Sequence, residues 1–374
     1  MGVIQDGMAH SSITPNGDIS WSSAEAEIAS LIDIEATARS CKAFVRPRGI
    51  RTPRDLLRLA LAYGAGTSLR EGSAWAQATD MAAVSAPALH RRLGNAADWL
   101  ELMVKRLVED GPEQPSGLWA GWRLRLVDAT CICHPGADRT SWRVHVRYGL
   151  SGHVEDIELT DDRGAEHLTR FVWRKGDIAI ADRGYAKPRD LRPVIAAGAH
   201  LVVRVGWNSL RLMTPGAPDA PDAKVFDLFA TLAHQTAQTA SYAVEVDTRE
   251  PGSPHLPMRL IVGRLPDDKA AIARDKVRAR ASKAGKKRDN RSLVAAGFVM
   301  VLTSLPAEYQ PEDILALYRF RWQIELLFKR FKSLLDLGEL PAKKAQTAKS
   351  WIYAKLILAL LAEKTARRLA ESFP

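Results

Sequence analysis

From Ser22 to Asp110 apolar residues return every three or four positions, the spacing of amphipathic helices. Start and stop signals punctuate the stretch. Thr52-Pro53-Arg54-Asp55 supplies an N-cap, a Pro at the first helical position and an acid three residues on, and Gly64 closes that helix. Ser68-Leu69-Arg70-Glu71 is a second capping box, opening a helix that gives out near Ala82. Ser85 with Pro87 starts another, carrying Leu89, His90, Arg91, Arg92 and Leu93.

From Trp119 the period shortens to two. Trp122-Arg123-Leu124-Arg125-Leu126-Val127-Asp128 alternates apolar and polar and ends in an acid. Trp142 to Tyr148 alternates again, and His153 to Thr160 makes a third strand. A short helix around Glu166 to Phe171 precedes Asp177-Ile178-Ala179-Ile180-Ala181-Asp182, a buried-type strand closed by Arg183-Gly184-Tyr185. A helix over Lys187 to Gly198 leads to a fifth strand, His200 to Val205. This order predicts an α/β layer in which a meander feeds a parallel part. Trp207 to about Arg291 breaks the pattern with a loop at Pro215 to Pro221 and strands at Tyr242 to Thr248 and Met258 to Leu265. Ala295 to Leu305 returns to strand, Pro311 opens a long helix, and Trp351 to Leu369 predicts a last one, amphipathic or largely buried.

Composition narrows the class. The 374 residues suffice for two or three domains, and 46% hydrophobic with 26% charged residues excludes a disordered chain, a fibrous repeat or a small disulfide scaffold. With 53 Lys and Arg against 43 Asp and Glu, the formal charge is +10, which favours a polyanionic partner. The first 20 residues are polar, lack the apolar core of a secretion signal and carry Asp6 where a myristoylation signal needs Ser or Thr. Leu356 to Ala362 is far short of the ~20 residues of a spanning helix. Nucleic acid is therefore the expected partner, a membrane is not, and the expected location is cytoplasmic and nucleoid-associated.

Cys41, Cys131 and Cys133 cannot form a disulfide framework, which favours a reducing compartment. Cys131-x-Cys133-His134 has no second Cys/His pair at zinc spacing and reads as structural thiols. No Walker loop, GxSxG or HExxH is present. Much of the basic surplus lies in Lys269 to Arg291, with ten basic residues against two acidic ones, Lys286, Lys287 and Arg288 among them. Its Ala-rich, Pro-free spacing favours a helix or arm on phosphates over a solvated helix end. The two short helices on either side of Ala82, with Arg91 and Arg92 early in the second, fit a helix-turn-helix or a small bundle with a basic face.

Two acids, Asp128 and Asp182, fall at C-terminal ends of predicted strands, where open α/β sheets place their chemistry. A third lies on the helix after Pro311. At 100° per residue, Tyr318, Arg321, Glu325 and Lys332 share a stripe about 60° wide. Leu317, Ile324, Phe328, Phe331 and Leu335 centre about 80° away, on the face that should meet the sheet. Taken alone, Arg321 and Glu325 could be an ordinary i, i+4 ion pair.

Together, Asp128-Ala129-Thr130, Asp182-Arg183-Gly184-Tyr185 and Tyr318-x2-Arg321-x3-Glu325-x6-Lys332 resemble the DDE transposases of the insertion-sequence-four family with their YREK signature. The resemblance covers roughly residues 122–361. It implies an α/β fold: an RNase H-like catalytic core interrupted by a β-rich insertion and preceded by an all-α N-terminal domain. The expected divisions are a flexible tail at 1–20, a helical DNA-binding domain at 21–115, a first core part at 119–206, the insertion with its basic helix or arm at 207–294, a second core part at 295–345 and a C-terminal helix at 346–374.

The resemblance also implies a chemistry. Such an enzyme cleaves phosphodiester bonds at the ends of an insertion sequence and joins the freed 3′-hydroxyl to target DNA. Asp128, Asp182 and Glu325 would be catalytic acids holding two Mg2+ ions, with Mn2+ as a substitute. Tyr318, Arg321 and Lys332, with Lys329 beside them, would contact phosphates near the scissile bond. Arg204 would reach DNA or pair with a core acid. Trp207 would hold a flipped base, as an insertion-domain Trp does in some relatives, or be buried. The implied partners are double-stranded DNA, both terminal inverted repeats and target, and a second copy of the chain in a synaptic homodimer. The alternative is a catalytically silent or truncated transposase-derived regulator that occupies the ends without cutting; the short stretch after Lys332 keeps it open.

Overall fold

The computed structural model describes residues 21–108, 117–134, 140–216, 224–285, 287, 289–338, 340–341 and 344–372. The expected tail at 1–20, Lys286 and Arg288 lie outside them. The chain divides into two compact units, Met1–Leu107 with Leu340–Pro374, and Val108–Glu339.

In the helical unit, α1 (Trp21–Leu31), α2 (Ile34–Ser40), α3 (Pro53–Gly64), α4 (Leu69–Ala78), α5 (Ala86–Asn95) and α6 (Ala97–Leu107) follow one another. Both capping boxes form: Thr52 with Asp55 opens α3 and Ser68 with Glu71 opens α4. Each such cap contributes on the order of 1 kcal/mol.

The larger unit carries one sheet. An antiparallel meander, β1 (Arg123–Cys133), β2 (Thr140–Gly149) and β3 (Val154–Asp161), is followed by β4 (Asp177–Ala181), α7 (Pro188–Ala196) and β5 (His200–Arg204). β4 pairs in parallel with both β1 and β5. Then come β6 (Leu212–Met213), α8 (Leu228–His234), β7 (Thr239–Val246), β8 (Leu256–Arg264), α9 (Asp267–Lys283), α10 (Asn290–Ala295) and β9 (Phe298–Thr303). The strand order is β3-β2-β1-β4-β5-β9-β8-β7-β6. The strands within 207–294 thus extend the sheet: β9 bonds β5 on one side and β8 on the other, leaving neither with an open edge.

The fold differs from expectation at three places near the acids. β1 runs past Asp128 to Cys133, held there by β2. The helix expected at Glu166 to Phe171 is only a 3-10 turn, Leu168–Arg170. The long helix from Pro311 is two, α11 (Pro311–Arg319) and α12 (Trp322–Leu335). Between them the N–H groups of Phe320 and Arg321 donate to carbonyls three residues back, Leu317 and Tyr318. Such a 3-10 turn eclipses residues i and i+3, which stacks Arg321 under Tyr318.

The last helix, α13 (Ala345–Ser372), belongs to the helical unit and packs on α3, α5 and α6. Gly64 permits the approach, since a Cβ there would stand 2.7 Å from that of Ala354. Ser350 Oγ donates to the Leu93 carbonyl at 2.5 Å, and Lys364 and Arg368 reach Glu27 at 2.9 and 2.8 Å.

A buried ionic cluster joins β1, β2, β3 and β4. Glu155, whose side chain is 0% exposed, pairs with Arg125 and lies 3.3 Å from Arg147 Nε. Asp177 pairs with Arg123 at 2.7 Å and faces Arg125 at 3.6 Å.

Candidate active site

Strand register brings Asp128 and Asp182 together. β1 and β4 pair from Arg123↔Asp177 to Val127↔Ala181, so the next residue on each is an acid. Asp128 therefore marks the end of the parallel pairing, whereas Asp182 truly follows a strand end. Asp128 Oδ1 accepts the Ala129 N–H and Asp182 Oδ1 the Gly184 N–H, both at 2.8 Å. The second bond shapes the turn Arg183–Tyr185.

Glu325 reaches the pair through Arg321. α12 buries Ile324, Leu327, Phe328 and Phe331 and packs on β1, which leaves Glu325 on an exposed flank. Arg321 Nη1 lies 3.4 Å from Asp128 Oδ2, Nη2 donates to Glu325, and Nε donates to the Tyr318 hydroxyl at 3.1 Å. One guanidinium thus links two acids and the phenol. Burial opposes its charge, but Tyr318, Glu325 and Asp128 outweigh that and raise its pKa.

The pocket holds more negative charge than Arg321 offsets. Burial first, then the charges of Asp182 and Glu166, push the Asp128 carboxyl up to about 7, against the Ala129 N–H and Arg321. Burial and then Asp182 also raise the Glu166 carboxyl. Tyr185 is fully buried and its hydroxyl has no hydrogen-bond partner among the described residues. Burial, followed by the charges of Asp128, Glu166 and Asp182, raises its pKa. Among the described residues no three acids, histidines or cysteines converge as a metal cluster. The donor set nevertheless suits a hard cation: it is carboxylate oxygen throughout, and Arg321 already sets a positive group between Asp128 and Glu325.

The expected DNA contacts divide. Lys329 and Lys332 are exposed and line a groove of about 500 Å3 with Glu325, Phe328 and Ser333. Arg204 is exposed at the end of β5 and acts electrostatically on Tyr318. Arg91 and Lys287 are exposed. Arg92 lies 5.0 Å over the Phe44 ring and donates to the Arg46 carbonyl at 3.0 Å, both within the helical unit. Trp207 is partly buried: its Nε1 donates to Ser292 Oγ at 3.1 Å, its ring meets Phe229 edge-on at 5.8 Å, and Arg291 sits 4.4 Å above it. Arg291 thus covers one face of the ring. Cys131 and Cys133 are free thiols, and the Cys133 N–H donates to the Gly338 carbonyl at 3.1 Å.

A family model described as the transposase DDE domain matches residues 119–361. The chain belongs to the DDE transposase family. Over 346 residues it is 40% identical to the transposase for insertion sequence element IS421 of Escherichia coli, covering 91% of this chain and 92% of that protein. It is 25% identical over 287 residues to the transposase for IS231E of Bacillus thuringiensis subsp. finitimus, covering 67% of this chain and 57% of that one. The matched segment of this DDE transposase includes every acid of the pocket, Glu166 among them. No helix among the described residues is long and apolar enough to cross a membrane.

Proposed function

We propose that this DDE transposase is of the YREK type, with an RNase H-like core, and that it cleaves the ends of an insertion sequence and joins the 3′-hydroxyl to target DNA. The observation that carries the reading is the parallel register that sets Asp128 beside Asp182, with Arg321 tying Glu325 to the same pocket. Asp128, Asp182 and Glu325 would hold two divalent cations, Mg2+ or in its place Mn2+. Bound there, the cations supply charge stabilisation for the phosphoryl oxygens and a more acidic nucleophile.

The chain's own groups do the positioning. Arg321 exchanges its carboxylates for the phosphate beside the scissile bond, a planar fork suited to either. That exchange frees Asp128 and Glu325 when DNA arrives. Tyr318 fixes the guanidinium through its hydroxyl, and Lys329 and Lys332 hold the neighbouring backbone along α12. Burial raises the proton affinity of Asp128, so positive charge entering the pocket favours its ionised form.

The helical unit and the exposed bases of α9 extend the DNA footprint, and two copies of the chain bring the two ends together on chromosomal DNA in the cytoplasm. Labelled duplex carrying the element's terminal repeats should be nicked at the repeat boundary with Mg2+, intact with EDTA, and intact with Asp182→Asn under either condition. Nicking by Asp182→Asn at the wild-type rate would refute the assignment.

Exposed Lys276, Arg280, Lys283 and Lys287 lie on or just after α9. Replacing all four with Gln is expected to lower the slope of log K against log salt by roughly 0.9 for every phosphate left without its cation. An unaltered slope would take this helix off the DNA.

A further inference from the structure

Glu166 is the one acid of the pocket that no sequence motif marked, and its placement is built. The loop that bears it is pinned on both sides. Arg143 of β2 donates to the Gly164 carbonyl at 2.6 Å, and Arg170 Nε donates to the Ala165 carbonyl at 2.8 Å. Asp190 of α7, only 2% exposed, accepts the Leu168 N–H at 2.9 Å and faces His167 Nδ1 at 3.0 Å. These four contacts fix the residues on each side of Glu166. Its own carboxylate forms no hydrogen bond among the described residues; Arg143 and Lys187 offset its charge only at a distance.

What that carboxylate faces is the second acid. A Cβ built on Gly184 would overlap the Glu166 carboxylate and stand 3.1 Å from Asp182 Oδ1. Both acids therefore crowd the bare Cα of one glycine. The Tyr185 hydroxyl is an independent observation at the same place. It is fully buried, bonded to nothing among the described residues, and lies within the field of Asp128, Asp182 and Glu166. A buried, unbonded phenol beside carboxylates is costly unless something polar completes the pocket.

We infer that Glu166 is a fourth carboxylate of the metal centre, holding with Asp182, directly or through water, one divalent cation. Tyr185 supplies the hydrogen-bond donor on its buried side, and Gly184 is small so that the two carboxylates can share the ion. This rests on the reading of Asp128, Asp182 and Glu325 as metal-binding acids.

The test is Mn2+ binding to the full chain without DNA, by titration calorimetry, for wild type, Glu166→Gln, Gly184→Ala and Asp182→Asn. Gly184→Ala keeps all four acids but displaces the Glu166 carboxylate, a flexible side-chain end. Glu166→Gln and Gly184→Ala should each weaken one Mn2+ by about tenfold or more. In EDTA, Glu166→Gln should melt no lower than wild type, because burial and the neighbouring Asp182 already disfavour the ionised carboxylate. Wild-type Mn2+ affinity in both variants, alongside weakened binding by Asp182→Asn, would remove Glu166 from the centre and leave the three-acid reading standing. A lower melting temperature of Glu166→Gln in EDTA would make the residue structural and overturn the inference. Absence of Mn2+ binding to wild type, or binding unchanged by Asp182→Asn, would remove the three-acid reading itself.

Discussion

Glu325→Gln is expected to lower end cleavage by about a thousandfold, the cost of losing a group that stabilises transition-state charge, while end binding changes by no more than about twofold. The contrast follows from where Glu325 sits. α12 is anchored by Ile324, Leu327, Phe328 and Phe331 on β1, and this apolar anchoring does not involve the carboxylate. Gln has the same shape, and Arg321, which loses the Glu325 carboxylate, keeps Asp128 and the Tyr318 hydroxyl as partners. The cations proposed to meet phosphate, Arg321, Lys329 and Lys332, all remain, so on that reading the duplex still finds its seat. What disappears, on the proposed reading, is one negative ligand of the metal centre. Nicking rates and gel-shift affinities on one labelled duplex decide the matter. Cleavage within tenfold of wild type would end the catalytic assignment; a parallel loss of binding would make Glu325 a support for the DNA surface instead.

How much of this was legible in the sequence depends on the range of the interaction involved. The capping boxes at Thr52 and Ser68 are local, and they form where their spacing puts them. The strands around Asp128 and Asp182 follow from alternation and from a fully apolar run; Asp182 follows its strand end as expected, whereas Asp128 lies inside β1 and meets it only because the parallel pairing stops there. The break at Phe320 and Arg321 was not legible. Neither residue is Gly or Pro, both have αR dihedrals, and the apolar spacing runs on across them. Tertiary packing makes the break, with α11 on β5, β7, β8 and β9 and α12 on β1. Burial of Trp207 is one of the two sequence readings, but its partners Phe229 and Ser292, like Phe44 and Arg46 for Arg92, are distant in sequence and were not legible. Glu166 had no motif at all. Only the return of the chain from β3 to β4 carries it to Asp182, although one signal was available, a lone acid ahead of a buried-type strand that itself ends in an acid.

The second large effect concerns the fold that holds the acids. Glu155→Gln is expected to destabilise the protein by about 3–5 kcal/mol, because it leaves Arg125 and Arg147 buried around one fewer negative charge. For a unit of this size that corresponds to a melting temperature lower by roughly 10 °C. Glu158→Gln is the control: it breaks a pair of the same type with Arg170, but Glu158 is 42% exposed, and the loss should stay within about 1 kcal/mol. The two substitutions sit three residues apart on the same strand, so composition and propensity are matched while burial and the number of Arg partners differ. Residues three apart on a strand point to opposite faces, so Arg125 and Asp128 of β1 serve different sides of the sheet. Cleavage per folded molecule at low temperature should therefore survive Glu155→Gln within a few fold, while the active fraction collapses on warming. Equal melting temperatures for the two variants would mean that the cluster is hydrated and contributes little. A melting loss with cleavage also abolished in the cold would mean that the cluster sets the position of Asp128 through the β1 backbone, and that stability and catalysis share the strand.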